Sequence, residues 1–145
     1  MSELPSIVVK LINERKPRDE SSWIDIFRTA IDIRVKEKEK KMYELTHIFE
    51  KVFGFKADDV TEDENGNLIA YKIIDIDRYI CYEFDILLRD NEDCGLEFGV
   101  MEVKEIPHAF NLDEWLWNSD KRRFEKYVKI NGKYYYAYVE LTTIR

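Results

Sequence analysis

The sequence predicts an α+β fold that begins with a long helix. Two periodicities carry the prediction. An apolar stripe recurs at helical spacing over residues 22–53, and β-branched or aromatic runs of strand length fill residues 68–104 and 133–142. Composition bounds it further. A chain of 145 residues with 45% hydrophobic and 14% aromatic content has the length of one domain and enough apolar side chains for a core, too many for a disordered chain.

The elements follow in order. Residues 1–20 read as a short extended lead, with Ile7–Leu11 able to form a strand between Pro5 and Pro17. Ser22, with Asp25 three residues on, has the form of a capping box, so a helix is expected to start at Trp23. Its stripe runs Ile24, Phe27, Ile31, Val35, Met42, Leu45, Ile48, Phe49, Val52, Phe53, and Gly54 is a natural stop. At 1.5 Å per residue such a helix is roughly 47 Å long. It therefore either breaks near residues 36–40 or projects and pairs with a second chain. Lys36–Lys41 reads as a solvated face. An acidic turn follows over residues 58–67, ending in the turn signal Asn65-Gly66. Strands are expected over Leu68–Ile76, Tyr79–Asp90 and Leu96–Lys104, then a helix over Leu112–Ile130. Asn131-Gly132 turns into a last strand, Lys133–Thr142.

Composition excludes several classes. No apolar run approaches the roughly 18 residues that span a bilayer, so no membrane role is expected. Met1-Ser2-Glu3-Leu4-Pro5 lacks the basic and apolar regions of a signal peptide. Net charge is −7, from 23 basic and 30 acidic residues, which argues against a broadly basic nucleic-acid-coating protein. Two cysteines, Cys81 and Cys94, make no disulfide scaffold, and a cytoplasmic setting is the expectation. Glutamine is absent while Lys, Glu, Ile and Tyr abound, a usage like that of hyperthermophiles, whose cytosols can keep disulfides.

The sharpest constellation lies between Tyr82 and Lys104. If Glu83–Leu88 and Phe98–Lys104 form a hairpin with a two- or four-residue loop, Asp85 faces Glu102 and Glu83 faces Lys104. Opposed carboxylates repel, and a divalent cation between them reverses the sign. Mg²⁺ (or Mn²⁺) is commonly held by one or two carboxylates plus a substrate phosphate, and a neighbouring lysine can neutralise transition-state charge.

Asp85 followed by Glu102-Val103-Lys104 after an apolar run resembles the PD-(D/E)xK nuclease superfamily. The expected helix, three strands, helix, strand order is similar to its restriction-endonuclease-like core. The resemblance spans roughly residues 42–142 and is nearest in character to archaeal members with a long charged N-terminal helix. It implies a nuclease-like core over 42–145, with residues 1–41 as the lead and first part of the helix. It also implies Asp85 and Glu102 as Mg²⁺ ligands, Lys104 as the catalytic lysine, Glu44 as an auxiliary acid, and DNA phosphodiester hydrolysis as the activity. Phe84 stands where the family pattern has proline. Many members have lost activity and serve as binding modules.

Other features add to both possibilities. Lys121, Arg122, Arg123 and Lys126 form a basic strip on the expected late helix, able to meet nucleic-acid phosphates or simply to be solvated. Tyr134, Tyr136 and Tyr138 share one strand face, where packing with satisfied hydroxyls is favoured over base stacking. No zinc spacing, phosphate loop or nucleophile elbow occurs. The leading expectation is a Mg²⁺-dependent nuclease or an inactive relative, able to dimerise through the long helix. The rival is an acidic, non-catalytic protein that blocks a basic surface of a partner, as a viral inhibitor of a host machine or a toxin-neutralising protein would.

Overall fold

The structure, a computed structural model, describes residues 6–144. The lead as far as Pro5 lies outside these residues. The protein is α+β, and its described residues form nine elements: α1 (Ser6–Arg15), α2 (Glu20–Phe53), β1 (Asp59–Glu62), β2 (Leu68–Ile76), α3 (Arg78–Glu83), β3 (Asp93–Val103), β4 (Leu116–Asn118), β5 (Arg123–Ile130) and β6 (Lys133–Ile144). The chain divides into two compact units, residues 1–41 and 42–145, and α2 is continuous across the boundary.

In the first unit α1 and the start of α2 form a helical hairpin. Ile7–Leu11 is helical rather than a strand. Ile7, Val8, Leu11 and Ile12 recur at helical spacing and pack on Ile26 and Ala30 of α2. Asp19, not Ser22, caps α2: its carboxylate accepts the Ser22 backbone N–H at 2.8 Å, and Ser22 Oγ donates to the same oxygen. The helix does not break at residues 36–40. It ends at Gly54, whose positive φ (84°) places it in the left-handed region, with its N–H on Glu50 O at 2.8 Å.

The second unit is a six-stranded antiparallel sheet in the order β1-β2-β3-β6-β5-β4, two three-stranded meanders joined by the central β3–β6 ladder. The last turns of α2 lie on one face. Leu45, Ile48, Phe49, Val52 and Phe53, at i, i+3, i+4, i+7, i+8, form its apolar side. Phe49 is fully buried in a cluster that includes Ala70, Val100 and Ala137, which lie side by side on β2, β3 and β6. Their small side chains leave the depth into which a phenyl ring fits.

Two expected elements are corrected. Tyr79–Asp90 is not a strand: Asp77 caps α3 by accepting the Tyr79 N–H at 3.0 Å, and residues 84–92 are irregular. A disulfide between Cys81 and Cys94, with Cα atoms 6.1 Å apart, fastens α3 to the start of β3. Leu112–Ile130 is not a helix but the β4–β5 hairpin. Phe124 and Val128 suit a helix stripe and a strand face about equally, and Ile130 joins them only on a strand face. The two-residue turn Asn131-Gly132, with φ 53° and 80°, settles the matter by folding β5 straight back on β6. The helix, three strands, helix, strand order that supported the restriction-endonuclease-like core is therefore not the order of this chain. The long helix, β2 and the β6 strand lie where the sequence puts them.

Candidate functional site

The expected Asp85–Glu102 pair is not formed, because β3 pairs with β2 and β6 rather than with residues 83–88. Asp85 sits in the turn after α3 (φ 59°), next to Ile86, whose N–H bonds Cys81 O. Cys81 is tied to Cys94, and Glu102 lies eight residues farther along β3, about 27 Å at 3.4 Å per residue. Lys104 follows the end of β3. Glu44 and Glu102 do come together: both raise the Tyr135 hydroxyl pKa, after burial, which is the larger cause. Glu44 also pairs with Lys133 at 3.7 Å. Among the described residues no cluster of three or more Asp, Glu, His or Cys has the arrangement of a metal site.

The basic strip is also dispersed, since strand alternation replaces helical spacing. Lys121 and Arg122 lie in the β4–β5 turn, and Arg122 donates to Phe84 O. Arg123 and Lys126 point to opposite faces of β5. Arg123 pairs with Glu140 at 2.8 Å, while the Lys126 ammonium lies 5.3 Å from the Trp115 ring centroid.

The chemistry gathers instead on the sheet face away from the α2 core. Three rungs cross it. The first carries Thr61, Ile69, Met101, Tyr136 and Tyr127. The second carries Asp59, Tyr71, Gly99, Tyr138 and Glu125, and the third Ile73, Glu97, Glu140 and Arg123. Gly99 makes this layout possible. A Cβ there would lie 2.2–2.5 Å from the Tyr138 ring, so only glycine lets the ring lie across β3. Tyr138, Tyr71, Ile69, Thr61 and Glu97 line a hollow of about 190 Å³.

Glu97 and Glu140 oppose one another directly on β3 and β6. Burial, then a hydrogen bond with Glu97, raises the Glu140 pKa, and Arg123 opposes the rise. The two carboxyl groups thus oppose each other's ionisation. The Tyr138 hydroxyl is pushed up by burial and then by the neighbouring Glu97 charge. Arg123 closes the group, its Nε 3.0 Å from Glu140 and its guanidinium carbon 4.2 Å from the Tyr138 ring centroid. Beside them Glu125 is only 3% exposed. It accepts from Asn118 Nδ2 at 2.8 Å and from the Tyr136 hydroxyl, so its burial is compensated. Three carboxyl groups and one guanidinium therefore lie on adjoining rungs of this face, with Arg123 paired to Glu140 and Glu125 bonded to Asn118 and Tyr136, amid tyrosine rings and phenolic oxygens.

Sequence reasoning placed Tyr136 and Tyr138 on a common face but passed over Glu97, Glu125 and Glu140. A signal was present. Each glutamate lies inside a strand next to an apolar or aromatic residue: Leu96-Glu97-Phe98, Phe124-Glu125 and Val139-Glu140-Leu141. A carboxylate in such a setting is costly unless it has partners. Comparison with known protein families, with curated proteins and with solved structures returns no match.

Proposed function

We propose that this chain is a non-catalytic binding protein whose electron-rich sheet face takes a basic segment of a protein partner. The observation that carries the reading is the Glu97–Glu140 pair beside the tyrosine-walled hollow, where two opposed carboxyl groups have one guanidinium, bonded to Glu140. A lysine or arginine side chain from outside supplies positive charge at Glu97 and stacks on Tyr71 or Tyr138. The net charge of −7 favours encounter with such a surface. The same reading has the chain acting as a homodimer through α2. No helix among the described residues is long and apolar enough to cross a membrane. The Mg²⁺-dependent phosphodiesterase expectation draws less from this geometry, since its two carboxylates stand at opposite ends of β3.

The test is titration with an oligo-arginine peptide, followed by calorimetry at low and high salt. Wild type should bind, with affinity falling as salt rises, and Glu97→Gln/Glu140→Gln should bind at least tenfold more weakly. Equal binding by both proteins overturns the reading. If Mg²⁺ instead raises the Tm of wild type but not of Asp85→Ala or Glu102→Ala, the phosphodiesterase gains support by mass-action stabilisation.

A further inference from the structure

The start of α2 has two apolar sides. One, centred on Ile26 (1% exposed) and Ala30 (3%), is covered by Val8 and Leu11 of α1. The other, about a third of a turn away, carries Trp23, Ile24, Phe27, Ile31 and Val35, exposed by 43, 45, 44, 60 and 49%. Five large apolar side chains on one stripe of one helix form a patch of the kind that marks an interaction surface.

We propose that this stripe joins two copies of the chain as an antiparallel, two-fold helix pair centred at the level of Thr29. The proposal rests on the homodimer reading above for its choice of partner, and it is independent of what the sheet face binds. In an antiparallel pair centred there, Phe27 faces Ile31 of the second copy, Trp23 faces its Val35, and the reciprocal contacts follow, so these four meet apolar partners while Ile24 comes level with Arg34 of the second copy. Charge points the same way. Residues 34–41 carry five cationic and two acidic side chains, whereas residues 17–24, their mates in this arrangement, carry Asp19 and Glu20 against Arg18 alone. A parallel pair would instead lay the lysine-rich run along itself, which like-charge repulsion disfavours.

The experiment measures mass by sedimentation equilibrium across the micromolar range, together with the distance between spin labels on Glu20→Cys in the otherwise intact chain, whose two native cysteines are bonded to each other. The expected results are a mass of two chains and a label separation of about 27 Å along the helices. Ile31→Glu should have the mass of one chain and an unchanged circular dichroism spectrum, since Ile31 is the most exposed member of the stripe. A dimer with labels about 10 Å apart overturns the antiparallel arrangement while leaving the homodimer standing. A wild type that stays monomeric overturns both, as does one that remains monomeric and sediments with anionic vesicles. A dimer that survives Ile31→Glu refutes the stripe as its interface.

Discussion

Replacing Gly99 by alanine tests whether the tyrosine wall of the hollow depends on a missing side chain. The new Cβ would fall 2.2 Å from Tyr138 Cζ, 2.3 Å from Cε1 and 2.5 Å from Oη, so the ring must leave its position. Tyr138 is 7% exposed and lies beside Glu97, so moving it breaks buried packing. Overpacking of this kind costs about 1–3 kcal/mol. The lower backbone entropy of alanine returns about 0.5–1 kcal/mol, leaving a net loss of roughly 0.5–2 kcal/mol. Urea unfolding of Gly99→Ala, compared at equal slope with wild type, measures it. The decisive step is a double-mutant cycle with Tyr138→Val. Without the ring, alanine at 99 should be neutral or slightly stabilising, which gives a coupling of about 1–3 kcal/mol. A loss that is the same in both backgrounds would refute the steric argument, and so would no loss at all.

Three further outcomes follow from the same structure. Cys81→Ser opens a short loop whose ends are 13 residues apart, so stability should fall by about 3 kcal/mol, and reductant should lower the wild-type Tm but not that of the variant. Glu140 holds its proton more tightly in the folded than in the unfolded chain, so its contribution is full below the ordinary value of 4.5 and is lost as pH rises through the raised folded value. Glu97→Gln removes the opposing charge. Its urea midpoint should therefore match wild type in acid and exceed it near neutrality, and a constant offset at all pH values would count against repulsion between the two carboxyl groups. Asp19→Ala should speed amide exchange in the first turn of α2 without altering the sheet. Acidification through the depressed Asp19 pKa, which its bonds with Ser22 lower, should do the same to wild type.

Parts of this fold were legible because one physical signal sufficed. The Leu45–Phe53 stripe and Gly54 define the end of α2, Asn65-Gly66 precedes β2 at its observed start, and Asn131-Gly132 permits little besides a tight hairpin. Segments with two competing signals failed. Ile80, Tyr82 and Phe84 have strand-like composition, but the Asp77 cap and the disulfide hold residues 78–83 as a helical turn. Phe124 and Val128 fit either period, and pairing with β6 decides for the strand, where Ile130 shares their face. Strand partners are tertiary information, which a local pattern does not contain.

The candidate site shows the same division most sharply. The expected Asp85–Glu102 pair with Lys104 is not formed; a different carboxyl pair, Glu97 and Glu140, opposes across adjacent strands with Arg123 bonded to Glu140. The chemistry was inferred from residue types, and types recur: the chain has 30 acidic residues. Which two meet depends on register, and β3 pairs with a strand that begins thirty residues later in the chain. The substitution changes the chemistry as well as the names. A rigid guanidinium already bonded to one carboxylate, with a tyrosine ring beneath it, leaves less need for a metal ion than a bare carboxylate pair would. It leaves room for a second organic cation at Glu97, where the hollow opens and Tyr71 and Tyr138 stand on either side. On the proposed reading, a partner's basic side chain meets the repulsion that suggested a metal from the sequence.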